Sequence, residues 1–487
     1  MPRSRPNILF VITDQQRYET VNALGYEYMD TPVQDRLVRE GVSFSGCHVN
    51  APSCGPSRGA LFSGLSPHNS GALMNQQTWP RTWVKDLSDS GYHCVNVGKM
   101  HAWPFWGMHG FNERFVVENK QRHFAERVWT GNNLTFFDEW DKALWQAGTR
   151  RLERDDLKEW PEFETSDGAY DWWEEDDLHP DVFVGDMAIR WLENFPENDK
   201  PIFLEVGFPG PHPPFDPIKR YADAYMEKDL PMLEVSEEEM EAQPEALKKF
   251  RDYQQIRFPD SIFFDPHAPS ERRHRQRAYY LANVTMIDEK LGQILETIEK
   301  RWSLDDWVII FTSDHGEHLG DHGIVEKWTM YDCSVRVPLM FSAPGRIEGG
   351  RHIDDLVQLF DIGPTVLDFA GVETPEHFEA QSLMGLLRDE PGASGREYVF
   401  SEHGPDPMLH MVEYEMMVRD KDWKLVEFLG EEDGQLYDLR SDPDEVINLW
   451  HDPNHAEQKA HLREVLHRWF LRSTVRTTAS RVPAINP

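Results

Sequence analysis

Cysteine is scarce: Cys47, Cys54, Cys94 and Cys333 are the four in a chain of 487 residues. Their spacing is too sparse and irregular for a disulfide framework or a cysteine zinc site. Each is therefore read by default as a reduced, buried, small hydrophobe. Positive charge is also short, with 50 Lys and Arg against 85 Asp and Glu and a formal net charge of −35. That balance argues against a nucleic-acid-binding face and against docking on an anionic membrane. A small anionic ligand is still allowed, because a local positive site can sit inside a negative molecule. No apolar stretch approaches the ~20 residues of a membrane helix. The first apolar run, Ile8 to Ile12, is too short for a secretion-signal core and ends in Thr13-Asp14 rather than a small-residue cleavage site. The expectation is a soluble, cytoplasmic protein, with self-association into a homo-oligomer left open. Internal repeats are missing as well. Disorder is excluded, because 39% of residues are hydrophobic and 12% aromatic.

Five short apolar runs read as buried parallel strands: Asn7–Thr13, Tyr92–Val97, Ile202–Phe208, Trp307–Thr312 and Val337–Ser342. Helical patterns lie between them. Thr31–Glu40 starts with a Thr suited to capping, has Pro32 at the first helical position and is followed by Gly41. Gln276–Arg301 carries apolar residues at alternating steps of four and three. Strands alternating with helices predict an α/β sandwich on a large, mainly parallel sheet. From about Arg396 the texture changes to short strand-like pieces, Tyr414–Arg419 and Trp423–Phe428, and a final helix near Glu457–Arg472. The expected division is a catalytic domain over 1–395 and an α+β subdomain over 396–487, a small antiparallel sheet packed with one helix. Two polar stretches, about 150–181 and 229–270, read as insertions between core elements. A solvated surface elaboration is the default for such loops; a role at a site mouth or subunit interface is the alternative.

Polar residues cluster just after the predicted strands: Asp14-Gln15, Lys99 and His101, His212, and Asp314-His315. In open α/β sheets ligands bind beyond the carboxyl ends of the strands. Each residue alone is as readily a cap or a satisfied core group, but four such positions from four strands converge. Asp14 and Asp314 offer hard oxygens, Gln15 a carbonyl oxygen and His315 an imidazole nitrogen. That set suits Ca²⁺, Mn²⁺ or Mg²⁺ better than a structural zinc. Cys54-Gly55-Pro56-Ser57-Arg58 can open a helix, which would put the thiol at an N-terminus, where its pKa is lowered and anions are favoured. A buried structural cysteine is the plain alternative; a papain-like nucleophile lacks the His–Asn/Asp partner pattern.

The segment Cys54–Arg58 also resembles the C-x-P-S-R motif of type I sulfatases in the alkaline phosphatase superfamily. Gly98-Lys99-Met100-His101 is similar to that family's G-K-x-H element. Thr312–Gly323, with Lys327 after it, is similar to its T-S-D-H-G-x-x-L-G-x-H-G block. Gly434–Leu439, Asp442-Pro443 and Asn448-Leu449 resemble the end of its C-terminal subdomain. The matches keep the family's order from residue 7 to about 450.

The resemblance implies an alkaline phosphatase-like fold and a hydrolase of small-molecule sulfate esters, arylsulfatase-like. It implies that a formylglycine-generating enzyme oxidises Cys54 to formylglycine, whose hydrate attacks sulfur. One divalent metal, Ca²⁺ or Mn²⁺, would be held by Asp14, Gln15, residue 54, Asp314 and His315. Arg58 would hold the residue 54 alkoxide, and Lys99 and Lys327 would grip the sulfuryl oxygens. His212 would protonate the leaving alcohol, with Lys327, and His101 would take the proton from the second hydroxyl of residue 54. Two places depart from the commonest pattern: Asp14-Gln15 stands for Asp-Asp, and Asp314-His315 for Asp-Asn. Both look like phosphonate monoester hydrolases and choline sulfatases, and Asn75 lies where the former place a substrate-binding Asn. Lys99 and His101 look like sulfatases instead. A phosphonate monoester or phosphodiester hydrolase is therefore the alternative, and an inactive binding protein on the same fold is a third reading. Trp103 and Trp106, just after His101, could line a pocket for an aryl or quaternary ammonium group; core packing is the ordinary role of such residues.

Overall fold

A computed structural model describes residues 4–121, 136–196, 199–256, 262, 265, 268–406 and 412–481. Eight strands form the main sheet: β1 (Asn7–Asp14), β2 (Val42–His48), β3 (His93–Gly98), β4 (Glu113–Val116), β5 (Ile202–Pro211), β6 (Trp307–Ser313), β7 (Leu339–Ser342) and β8 (Arg351–Gln358). Their order is β4-β3-β5-β1-β6-β7-β2-β8. β1 lies at the centre, parallel to β5 and β6. The alternation of β1 splits it between two cores. Ile8, Phe10 and Ile12 join one cluster with Leu61 and Phe62 of the helix Cys54–Ser63 and with Val366 of the helix Ile362–Ala370. Leu9 and Val11 join another with the helices Pro180–Asn194 and Ser270–Arg301. Helices cover both faces, as the alternating pattern requires.

One of the five expected parallel strands runs the other way. β7 is antiparallel to both β6 and β2. A parallel return needs a crossover, usually a helix. Residues 314–338 instead form an irregular segment with only the short helices Asp321–Gly323 and Asp332–Val335. The expected cap at Thr31 also differs. Its hydroxyl does not cap the helix Pro32–Glu40; the carboxylate of Asp288, on the long helix, accepts from the amides of Val33 and Gln34 at 2.9 and 2.8 Å.

The second sheet is antiparallel: β9 (Val399–His403), β10 (Glu415–Arg419), β11 (Trp423–Phe428) and β12 (Gly434–Asp438). Leu462 and Leu466 of the helix Ala456–Arg481 pack on its Val418, Leu425 and Leu436. All four cysteines are free thiols; Cys47, Cys54 and Cys94 are buried, while Cys333 is half-buried rather than core. Among the described residues no helix is long and apolar enough to cross a membrane.

Neither insertion is simply a solvated elaboration. Ser166 to Tyr170 are buried, and the backbone of 168–172 bonds that of Phe215 and Pro217. The second insertion contributes the helices Glu237–Ala242 and Glu245–Ile256, which pack on residues 322–325 through Gln243 and Gln254. Residues 257–261, 263–264 and 266–267 of that stretch lie outside the described residues.

Candidate active site

Four chain segments reach one place at the carboxyl edge of the main sheet. β1 ends in Asp14, and Gln15 follows in a left-handed conformation at φ 76°. β6 delivers Asp314 and His315. β3 ends in Gly98 (φ +97°), where a Cβ would sit 2.1 Å from the Gly207 carbonyl; this close approach lets the next residue, Lys99, donate its amide to that carbonyl at 2.7 Å. The helix Cys54–Ser63 starts at Cys54, and every residue of it is buried.

Ligand atoms of Asp14, Cys54, Asp314 and His315 all lie within 4.8 Å of one another. Cys54 Sγ is 3.2 Å from His315 Nε2 and 3.6 Å from Asp14 Oδ1. His315 Nδ1 donates to the Gly316 carbonyl at 2.9 Å. A carbonyl only accepts, so the proton sits on Nδ1 and Nε2 presents a lone pair to the cluster. Burial holds the imidazole down at about 4, which keeps it neutral. Two carboxylates and one imidazole lone pair, gathered beside the Cys54 sulfur, form a donor set able to hold one divalent metal ion.

Cations balance these anions. Arg58 Nε donates to Asp314 Oδ2 at 2.7 Å, and Arg58 Nη1 to the Lys99 carbonyl at 2.5 Å. Lys99 Nζ pairs with Asp14 and donates to Asn119 Oδ1 at 2.7 Å. Burial opposes ionisation of Asp14, yet the charged groups around it, Lys99 foremost and Arg58 with it, hold its carboxyl well below the usual range. The Cys54 thiol behaves in the opposite way to the sequence expectation. Burial drives its pKa far up and Asp14 adds to this, so the helix N-terminus does not produce a thiolate.

On the opposite wall, Lys327 Nζ donates to Gln15 Oε1 at 2.6 Å and to His212 Nε2 at 2.9 Å. His212 Nδ1 donates to the Pro213 carbonyl at 2.8 Å. Lys327 stands between Glu326 and Trp328, both left-handed at φ 67° and 69°; backbone strain of this kind concentrates at functional sites. Asn75 Oδ1 accepts from the Gly55 amide at 2.9 Å, against the start of the Cys54 helix. His101 is also left-handed (φ 60°), and Glu118 Oε2 accepts its amide at 2.9 Å.

The sequence profile of the sulfatases matches residues 6–372. The chain belongs to the sulfatase family. This type I sulfatase of the alkaline phosphatase superfamily is a hydrolase acting on sulfate esters. A second profile, the C-terminal part of N-sulphoglucosamine sulphohydrolase, matches residues 320–471. An arylsulfatase of Clostridium perfringens is 29% identical, over 95% of this chain and 94% of the relative. A choline-sulfatase of Rhizobium meliloti is 27% identical, over 95% and 86%. The phosphonate monoester hydrolase of Agrobacterium radiobacter has the same fold, with a TM-score of 0.80, 24% identity and 96% of each chain covered.

The sulfatase site also contains residues that sequence reasoning missed. Asn119 holds Lys99 and Glu118 holds the His101 turn. Glu317 accepts from Gln15 Nε2 and from the amides of Leu319 and Glu326, the first amide at 2.9 Å. Glu317 stood in full view inside the Asp314–Gly323 block; Glu118 and Asn119 follow the edge strand β4, which has no alternating pattern to flag it. Trp103 and Trp106 form an aromatic group with Phe105 and Phe136 beside His101, and Trp106 is 56% exposed.

Proposed function

We propose that this sulfatase works through formylglycine at position 54 and one divalent cation, Ca²⁺ or Mn²⁺, held by Asp14, Gln15, residue 54, Asp314 and His315. The observation that carries the reading is the donor cluster closed around Cys54 Sγ, with a neutral His315 lone pair aimed at it. When bound, the cation supplies positive charge that acidifies an oxygen on residue 54 and neutralises the sulfuryl group. The aldehyde hydrate supplies two hydroxyls on one carbon, one to attack sulfur and one whose deprotonation lets sulfate depart.

Arg58, fixed by Asp314 and by the Lys99 carbonyl, keeps its charge beside residue 54. Lys99 and Lys327 face the sulfuryl oxygens from two sides and stabilise charge that develops on them. Lys327 and His212 share a hydrogen bond, and that pair delivers the proton to the leaving oxygen. His101 removes the proton from the second hydroxyl. Asn75 lines the entrance to residue 54 and contacts the ester.

Maturation requires a formylglycine-generating enzyme. Tryptic mass spectrometry of protein made with that enzyme should find the aldehyde at residue 54, and elemental analysis should find one Ca²⁺ or Mn²⁺. Active protein carrying only the thiol, or full turnover after exhaustive chelation, refutes the mechanism.

Gln15, His315 and Asn75 favour a second reading, phosphonate monoester or phosphodiester hydrolysis at the same site. Comparing kcat/KM for nitrophenyl sulfate and nitrophenyl phenylphosphonate decides between them. The sulfate ester is expected to be turned over faster, because Lys99 and His101 resemble the sulfatases rather than the phosphonate hydrolases.

A further inference from the structure

Gln15 stands where a second carboxylate is the commoner choice, and a carboxamide has two different ends. Turned one way it presents an oxygen to a cation; turned the other way it presents an NH₂ group that repels one. The surroundings of Gln15 leave one orientation. Lys327 Nζ, which only donates, sits 2.6 Å from one end, so that end is Oε1. The other end, Nε2, donates to Glu317 Oε2. Glu317 is fully buried, and its second oxygen accepts the Leu319 and Glu326 amides, at 2.9 and 2.5 Å. It therefore cannot turn to offer Gln15 anything but an acceptor. The Gln15 backbone is held too. Its amide donates to Asp314 Oδ1 at 3.0 Å and its carbonyl accepts from the Tyr280 hydroxyl at 2.7 Å.

We propose that Glu317 is a positioning residue that fixes the Gln15 carboxamide with its oxygen toward the metal cluster, and so lets a neutral Gln serve where a carboxylate otherwise would. The inference rests on the metal reading above. Glu317→Gln keeps the shape and keeps one oxygen for the two loop amides. Its NH₂ group then faces Gln15 Nε2, donor against donor. The Gln15 carboxamide then meets a donor in either orientation, Lys327 on one side and the new amide on the other, and its oxygen is no longer held toward the cation. Exchanging the pair, Gln15→Glu with Glu317→Gln, restores a donor–acceptor contact and again puts an oxygen inward.

The test is calorimetric titration of chelator-stripped protein with Mn²⁺ and with Ca²⁺, beside thermal melting of the stripped forms. Wild type is expected to bind. Glu317→Gln is expected to bind about 10–100-fold more weakly, the usual size for a lost outer-shell partner, and the exchanged pair to recover most of that loss. Absence of binding by wild type overturns the metal reading itself. Binding by wild type and equally by Glu317→Gln overturns the role of Glu317 alone. An exchanged pair no better than Glu317→Gln overturns it too, since the loss is then not one of amide orientation. Should Glu317→Gln fail to fold, the exchanged pair decides alone: near-wild-type affinity supports the assignment and weak binding overturns it.

Discussion

The two walls of the site are made from different parts of the chain. The wall of Asp14, Asp314, His315 and Lys99 comes from the ends of β1, β6 and β3, each a strand of the main sheet. On the opposite wall, His212 also follows a strand of that sheet, β5, whereas Lys327 comes from the irregular segment between β6 and β7; the insertions brace the loops that carry both. Asp181, at the root of the first insertion, accepts the Gly210 amide at 2.7 Å, and Lys120 pairs with Asp216 and Asp181 behind the same loop. The second insertion holds the other loop, with Gln254 donating to the Val325 carbonyl at 2.5 Å and Gln243 to the His322 carbonyl at 2.8 Å. The anion-rich wall thus follows from the sheet alone, while the His212–Lys327 pair depends in addition on the two insertions. Attack on sulfur and departure of the alcohol should be separable by mutation.

The largest effect should come from the sheet-built wall. Asp314→Asn is expected to lose both metal and turnover, read by elemental analysis and by sulfate release, and to lower the stability of the stripped protein less than Asp314→Ala does, because a carboxamide oxygen can still accept from Arg58 Nε. Asp314→Ala should in addition destabilise the fold by about 3–5 kcal/mol, because it leaves the fully buried Arg58 without its partner; denaturant titration measures this. Equal stability of the two variants would mean that Arg58 finds another anion.

Next is the His212–Lys327 pair. His212→Ala should slow phenyl and alkyl sulfates by about 10²–10⁴-fold and nitrophenyl sulfate much less, so a plot of log rate against leaving-group pKa steepens. A uniform loss across leaving groups would show His212 binding the sulfuryl group instead. Asp181→Asn leaves His212 in place but loosens its loop. About a tenfold loss is expected, below the ~10²-fold that a 1 Å misplacement can cost, again concentrated on poor leaving groups and with metal affinity unchanged.

The smallest effect concerns pH and stability. Burial holds His48 down at about 4 and His403 at about 3, whereas an unfolded histidine titrates near about 6.5. As pH falls from about 6.5 toward 4, the unfolded chain binds protons that the folded chain refuses, so these two groups lower stability progressively over that window. His403→Gln should flatten the dependence of the urea midpoint on pH there, and an unchanged slope would mean that His403 is protonated in the fold.

The sheet-built wall was legible because a buried strand and the polar residue after it are adjacent in sequence. Asp14, Lys99 and Asp314 could be read from apolar runs, and β1, β3, β5 and β6 lie within a few residues of their expected bounds. The reversal of β7 was not legible, because an apolar run looks the same in either direction. Which of the two readings of Cys54 holds, an activated or a buried thiol, was not legible, because local sequence reports the helix start but not the depth of burial or the nearness of Asp14. The braces behind His212 were hidden for a related reason: Lys120, Asp181 and Asp216 meet only after β5 and its flanking segments have packed.

The contact between Asp181 and Gly210 also limits how such enzymes can be recombined. A side chain at 210 would collide with the Asp181 carboxylate, since a Cβ there would lie 2.2 Å from Oδ2. A residue with a side chain at 210 therefore requires a smaller or displaced residue at 181. A swap of the first insertion between homologous chains that cuts ahead of Asp181, near the exposed residues Glu159, Pro161 and Glu162, carries no such linkage. A swap that includes the root must bring residues 209–216 with it.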